Sequence, residues 1–344
     1  MQGGRLGWGF LSTARINERL IHVLRTSERS ELVAIASRDS ETAQRYAHQW
    51  EIPRSYGSYQ EMLRDPDIGI IYISSPNHLH AEWSIKCAEA GKHVLCEKPL
   101  ALSTSEIDEI AAAAQRNGVI VQEAAMMRFH PQTYFIKKLI ADGAIGEVRL
   151  VRGVFTFPLQ RTDDFRRDLR MGGGSLWDVG CYCVSFSRTV LQSEPVEVFA
   201  FQTTSDSGVD LSFSAQMRFA SGTMVHFFSS FAAFPSVNAD LLGTKGEIKL
   251  NLPWVNQPGR TAEVHLTTQS AVGETSTFGD IAHDRKTEIQ VYENTNAYRD
   301  EVESMAASVL DGVEPVVSLA DSRNNAAVIT ALYKSARERK PAKL

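Results

Sequence analysis

The stretch GRLGWGFLSTARINERL, residues 4–20, decides the fold. It reads as a buried strand, Leu6 to Leu11, running into an amphipathic helix with Ile16, Leu20, Val23 and Leu24 on one face. That is how a dinucleotide-binding βαβ unit opens. Its turn needs small residues, so that backbone N–H groups and a helix N-terminus can approach a pyrophosphate. Yet Gly7-Trp8-Gly9 lies inside the strand, one register too early for G-x-G-x-x-G. The place of the turn is taken by Ser12-Thr13-Ala14-Arg15-Ile16-Asn17, whose first three residues are small. Two of them carry hydroxyls able to bond a phosphate or cap the helix.

Outward from this unit, strand and helix signals alternate as in stacked βαβ units with a parallel sheet. Leu32 to Ala36 is a second strand, and a helical segment through Tyr46 to Trp50 follows it. Ile68 to Ile73 is almost continuously apolar, as a strand buried on both faces should be. A helix from His80 stops at Gly91, His93 to Cys96 is the next strand, and Ser103 with Glu106 reads as a capping box. That helix ends at Gly118, and Val119 to Val121 closes a Rossmann domain over residues 1–125.

Residues 126–344 read as an α+β domain for substrate binding and oligomerisation, with a large, mostly antiparallel open sheet. Pro131 suits the first turn of a helix, and another helix lies around Trp177 to Leu191. Strands are expected near 148–157, 196–203, 210–219, 223–230, 238–242, 247–252 and 262–267. The polar segment 271–287 reads as a loop. A last helical region starts near Asn296, breaks at Gly312 to Pro315, and resumes at Leu319, with packing back on the first domain as one expected arrangement.

The chain of 344 residues exceeds the ~250 to 300 at which single cores stop growing. Its net charge of −5 offers no electrostatic footprint for nucleic acid or an anionic membrane. No apolar run approaches the ~18 residues of a membrane span, and a strand begins too early to leave room for a signal peptide. A cytoplasmic protein is expected. Cys181-Tyr182-Cys183 lacks zinc or redox spacing, and His78-Leu79-His80 has no accompanying cluster, so no metal is expected.

Several positions carry candidate chemistry. The second strand ends Ser37-Arg38, where an NAD enzyme places an acid ~20 residues after the glycines to hold the ribose 2′-hydroxyl. A cation there suits a 2′-phosphate, hence NADP, with NAD as the alternative. Ser75-Pro76-Asn77 with His80, and Glu97-Lys98, follow the C-terminal ends of parallel strands, where ligands of doubly wound sheets sit. In Gly172-Gly173-Gly174-Ser175-Leu176-Trp177-Asp178, the glycines could let a ligand approach a helix start. Asp178 and Tyr182 are spaced to share one face of that helix. Each also has a structural alternative: a helix cap, a solvated loop cation or a half-buried core aromatic.

The combination of GFLSTARIN, ASRD, SPNHLH, CEKPL, EAAMMRFHP and GGGSLWDVGCY resembles the glucose–fructose oxidoreductase/inositol dehydrogenase (Gfo/Idh/MocA) superfamily over essentially the whole chain. The resemblance is closest to the branch of dimeric dihydrodiol dehydrogenases and NADP-dependent D-xylose dehydrogenases. In the inositol dehydrogenase branch a His stands where this chain has Tyr182, and the wider superfamily keeps glycine in the loop that here reads Ser12-Thr13-Ala14. The resemblance implies hydride transfer between nicotinamide C4 and a carbon of a sugar, polyol or cyclic diol. It implies that Lys98 and Tyr182 meet at the nicotinamide, with Asp178 orienting the pair and Tyr182 exchanging the hydroxyl proton. Ser12 to Ile16, Ser37, Arg38, Ser75, Pro76, Asn77, His80, Glu97, Lys98 and Glu123 are expected on the cofactor. Arg128, His130, Phe157, Trp177 and Tyr298 are substrate-side candidates. A homodimer or higher oligomer is expected. The alternative is a non-catalytic NADP-binding regulator of the same fold.

Overall fold

Strand β1 (Leu6–Leu11) is buried along its whole length inside a six-stranded sheet. In this computed structural model, which describes residues 5–254, 259–269 and 285–344, its neighbours are β2 (Ser30–Ala36) and β4 (Ile70–Ile73). With β3 (Arg54–Tyr56), β5 (His93–Glu97) and β6 (Val121–Ala124) the order is β3-β2-β1-β4-β5-β6, parallel throughout. This is the dinucleotide-binding arrangement, and the order reverses between β1 and β4, where ligands of such sheets bind. The strand glycines serve packing. A Cβ on Gly7 would stand 2.0 Å from the Asp67 carbonyl oxygen.

Helices connect these strands: α1 (Asn17–Thr26), α2 (Ser40–Gln49), α3 (Tyr59–Leu63), α4 (His80–Glu89) and α5 (Thr104–Asn117). At α5 the Ser103 hydroxyl accepts from the Glu106 N–H as expected, while the Glu106 carboxylate accepts from the Ser103 hydroxyl and from the N–H of Leu102, one residue before the cap. One sheet face, with Leu11, Ile71, Ile73, Val94 and Cys96, packs against Met62, Trp83, Ile107 and Ile110. The other carries the row Phe10, Tyr72, Leu95 and Gln122 side by side.

By contacts the chain forms two compact units, and neither follows a single cut. The first holds residues 1–129, 168–173 and 297–327; the second holds 130–167, 174–296 and 328–344. The second contains a sheet of nine strands among the described residues. These are β7 (Val148–Thr156), β8 (Pro195–Thr204), β9 (Asp210–Phe219), β10 (Met224–Ser230), β11 (Ser236–Gly243), β12 (Gly246–Leu250), β13 (Ala262–Gln269), β14 (Arg285–Tyr292) and β15 (Ala342–Lys343). Their order is β14-β13-β12-β11-β7-β10-β9-β8-β15, with β7 and β10 the parallel pair and the rest antiparallel. Helices α6 (Pro131–Ala141) and α7 (Cys181–Leu191) belong to this unit. Helix α8 (Ala297–Asp311) lies in the first, and α9 (Leu319–Glu338) passes from the first to the second.

Of the expected loop 271–287, residues 271–284 lie outside the described residues, and Arg285 to Thr287 are corrected to strand. The strand was hidden because β14 is a sheet edge exposed along nearly its whole length, so no apolar alternation marks it. Among the described residues no helix is long and apolar enough to cross a membrane.

Candidate active site

In the first unit, the loops after β1, β2, β4 and β5 all leave the C-terminal ends of neighbouring parallel strands. Leu11 pairs with Ala36 and Ile73, and Ile73 pairs with Cys96. This register brings Ser12 to Ile16, Ser37 and Arg38, Ser75 to Asn77, and Glu97 and Lys98 to one edge of one sheet.

Ser12 takes a φ of 99°, a region that L side chains rarely adopt and where glycine is at home. Three hydrogen bonds hold it there. Its N–H donates to the Ala36 carbonyl at 3.0 Å, its hydroxyl donates to the Ser74 carbonyl at 3.3 Å, and its carbonyl accepts from the Asn17 amide at 2.7 Å. The Ser12 side chain therefore fixes the loop and does not cap α1, whose N-cap Ile16 has no side-chain bond. The N–H groups of Thr13, Ala14, Arg15 and Ile16 make no hydrogen bond to a described group. Successive N–H groups at a helix N-terminus form an anion cradle. The Ser75 hydroxyl on the adjoining loop is buried and also lacks a partner among the described residues. A dinucleotide phosphate fits these groups. Ala14→Leu is expected to abolish cofactor binding with an unchanged circular dichroism spectrum, because the side chain would fill the approach to the cradle. Unchanged affinity by isothermal titration calorimetry would place the phosphates elsewhere.

At the end of β2, Ser37 donates its N–H to the Tyr56 carbonyl. Arg38 is exposed and pairs with no carboxylate among the described residues. The neighbouring acid is occupied: Asp39 caps α2, accepting from the Thr42 N–H at 2.8 Å.

Two expected cofactor residues turn out to hold loops. His80 is completely buried, with Nδ1 2.8 Å from the Pro99 carbonyl and Nε2 2.7 Å from the Ser75 carbonyl. It ties the loop after β4 to the loop after β5, and burial pushes its pKa down. Glu123 accepts from the Leu100 N–H at 3.0 Å and from the Ser322 hydroxyl at 2.7 Å, and burial pushes its carboxyl up. Asn77 donates to the Gly172 carbonyl at 2.9 Å. Glu97 and Lys98 are half-buried.

In the second unit, residues Leu176–Gly180 form a π-helical turn before α7, a feature found often at functional sites. The expectation that Asp178 and Tyr182 stack on one α-helical face is corrected by this wider turn. Asp178 instead accepts from Arg166 Nε at 2.7 Å, and Arg166 also reaches Asp164. Burial works against the Arg166 charge, but the two carboxylates outweigh it and hold the guanidinium protonated. The glycines ahead of the turn are corrected as well. A Cβ on Gly174 would stand 2.1 Å from Asp210 Oδ1, so the protein itself occupies the space assigned to a ligand. Tyr182 is 7% exposed, and its ring packs on Phe155 with centroids 5.5 Å apart.

The substrate-side candidates divide. His130 is corrected to a helix cap: Nδ1 accepts from the Gln132 N–H, Nε2 lies 2.7 Å from the Thr295 hydroxyl, and burial pushes its pKa down to about 4. Arg128 pairs with Asp321 at 2.5 Å within the first unit. Trp177 packs on Tyr333, and Phe157 packs on Phe231. Tyr298 is buried near Glu97 and Glu301, and burial with those carboxyls pushes its hydroxyl up. Sequence reasoning missed Arg166, Glu301 and Asp210. Only a polar residue at an inward-facing helix or strand position could have flagged the last two.

With this geometry in place the chain can be set beside known proteins. Residues 6–125 match the Gfo/Idh/MocA oxidoreductase family with an NAD-binding Rossmann fold, and residues 135–249 match the C-terminal domain of the same family. The chain is 36% identical over 331 residues to a D-xylose 1-dehydrogenase (NADP(+)) of Haloferax volcanii, covering 96% of this chain and 97% of that one. It is 34% identical over 330 residues to a trans-1,2-dihydrobenzene-1,2-diol dehydrogenase of Xenopus laevis, covering 94% and 95%. A 3-ketoreductase of Actinomadura kijaniata, solved with NADP and TDP-benzene, superposes with a TM-score of 0.87 at 25% identity over 96% of this chain and 98% of that one. The chain belongs to the Gfo/Idh/MocA family of oxidoreductases, with its Rossmann domain at the N-terminus.

Proposed function

We propose that this oxidoreductase uses NADP(H) and acts at a CH–OH carbon of a sugar, polyol or cyclic diol. The observation that carries the reading is the N–H cradle of Thr13 to Ile16 at the switch point, with Arg38 uncommitted at the end of the neighbouring strand. Relatives named for D-xylose and for a dihydrodiol support the substrate class.

When bound, the nicotinamide supplies or accepts the hydride. The chain's own residues do the rest. The Thr13–Ile16 amides and Ser75 hold phosphate oxygens, and Arg38 adds a charge-assisted contact to a 2′-phosphate. Tyr182 exchanges the proton of the substrate hydroxyl, and Lys98 assists. Arg166 fixes the Asp178 carboxylate in the turn that leads to Tyr182. The reading includes a cytoplasmic location and a homodimer; multi-angle light scattering checks the oligomer.

A panel of polyols, aldoses and dihydrodiols, read by NADPH absorbance with both cofactors, tests the activity. Bound cofactor with no turnover on the panel would favour the regulator. Arg38→Ala is expected to weaken NADP(H) about tenfold or more while sparing NAD(H), since charge-assisted bonds contribute ~1.5 to 3 kcal/mol. Equal affinity of the unmutated protein for both cofactors would overturn the assignment of Arg38.

A further inference from the structure

The segment 157–167, between β7 and the π-helical turn, is pinned at several points within the second unit. The Phe157 and Leu159 N–H groups donate to the Ser230 and Phe231 carbonyls, each at 3.0 Å. Arg167 donates Nε to the Arg161 carbonyl at 2.9 Å and Nη2 to the Leu159 carbonyl. The Arg166 carbonyl accepts from the Gly174 N–H at 3.1 Å, and the Gly174 carbonyl accepts from the Asp178 N–H at 3.0 Å. The loop is thereby tied to the turn that leads to Tyr182.

This frame fixes Asp164 and Arg166. Arg166 Nε donates to Asp178 Oδ2 at 2.7 Å, and Nη1 donates to Asp164 Oδ1 at 3.2 Å. The same Asp164 oxygen accepts from the Arg166 backbone N–H at 3.0 Å. The guanidinium carbon also lies 4.6 Å from the Phe165 ring centroid. A guanidinium carries five N–H donors in a rigid fork. Nη2, which holds two of them, donates to no described group, and Asp164 Oδ2 accepts from none. The Arg166 side chain is 30% exposed and that of Asp164 15%, so both can be reached from outside.

Because Nη1 and Oδ1 are already bonded, the unspent donors and the unspent acceptor lie within the span of one hydroxyl or of two adjacent ones. A hydroxyl suits them, since its oxygen accepts from the guanidinium while its hydrogen is donated to the carboxylate. An anionic group would instead meet Asp164 as a like charge. One hydrogen bond, from Arg166 to Asp178, joins this pair to the turn that carries the proton-exchange residue.

We propose that Asp164 and Arg166 are specificity-determining residues that hold a substrate hydroxyl adjacent to the one that reacts. The role rests on the hydride-transfer reading and narrows it. The substrate carries neighbouring hydroxyls, as a sugar or cyclic diol does, and a lone alcohol is a poor substrate.

The test compares each diol turned over by the full chain with the analogue lacking the neighbouring hydroxyl. D-xylose against 2-deoxy-D-xylose and trans-cyclohexane-1,2-diol against cyclohexanol are among the probes, and the readout is the ratio of kcat/KM. A site built to bond a hydroxyl rejects the analogue without it, so a ratio of about a hundredfold or more is expected in the unmutated protein. Arg166→Lys keeps the charge but loses the fork, and Asp164→Asn removes no atom of the Arg166–Asp178 bond. In each the ratio is expected to fall about tenfold or more, the worth of one charge-assisted hydrogen bond. Asp164→Asn is isosteric and lies in a loop, so it serves should Arg166→Lys fail to fold. A purely structural role would depress diol and analogue alike, and an unchanged ratio in either folded variant overturns the proposal. Equal turnover of diols and analogues by the unmutated protein overturns it too, while the hydride-transfer reading stands. Absence of turnover on every hydroxyl substrate overturns that reading and this role with it.

Discussion

Tyr182→Phe is expected to lower turnover by ~10² to 10⁴ while leaving NADP(H) affinity within about threefold. The substitution keeps the ring, and with it the packing on Phe155, so the fold around α7 should survive. What is lost is the one hydroxyl the reading assigns to proton exchange. Lys98→Met should also depress turnover. The double variant should lose far less than the product of the two singles, because residues that act as a unit are non-additive. Steady-state kinetics on a confirmed substrate, with cofactor affinity measured separately, decides the matter. Near-full turnover by Tyr182→Phe would assign the proton to another group.

The second large effect is on stability. Asp210 sits on β9 and accepts three hydrogen bonds: from the Ser175 hydroxyl at 2.8 Å, the Leu176 N–H at 2.8 Å and the Tyr333 hydroxyl at 2.7 Å. It thereby anchors the start of the π-helical turn to the sheet and to α9. Asp210→Ala removes the acceptor of the buried Leu176 N–H, of the half-buried Tyr333 hydroxyl and of the Ser175 hydroxyl, which keeps Ser229 as a weaker partner. Each unsatisfied donor costs about 1 to 3 kcal/mol. A loss of about 3 kcal/mol or more is expected, visible as a lower midpoint in urea unfolding. An unchanged midpoint would show that the anchor is dispensable.

Much of the fold could be read because its signals are local. β1 spans Leu6–Leu11 as its apolar run suggested, and α5 begins and ends at its cap residues Ser103 and Gly118. The first strand–turn–helix unit was legible for the same reason, since strand, small residues and helix follow one another directly. Non-local chemistry was not legible. His130 looks like a ligand until its two ring nitrogens are found capping α6 and meeting Thr295, which is 165 residues away in sequence. The Gly172–Gly174 run looks like room for a ligand until Asp210 is seen beside it. Arg166 gave no signal because its partner Asp178 is joined to it through an irregular loop.

Ser12 carries a consequence for binding thermodynamics. A non-glycine residue at a φ of 99° costs on the order of 1 to 3 kcal/mol and persists only where its surroundings over-determine it. Here the Ser12 bonds to β2, to the loop after β4 and to Asn17 supply that constraint. The disorder that a glycine loop would surrender on meeting its ligand has therefore already been removed when the chain folds. An anion bound at this loop, as proposed, would meet a preorganised backbone with little conformational entropy left to lose.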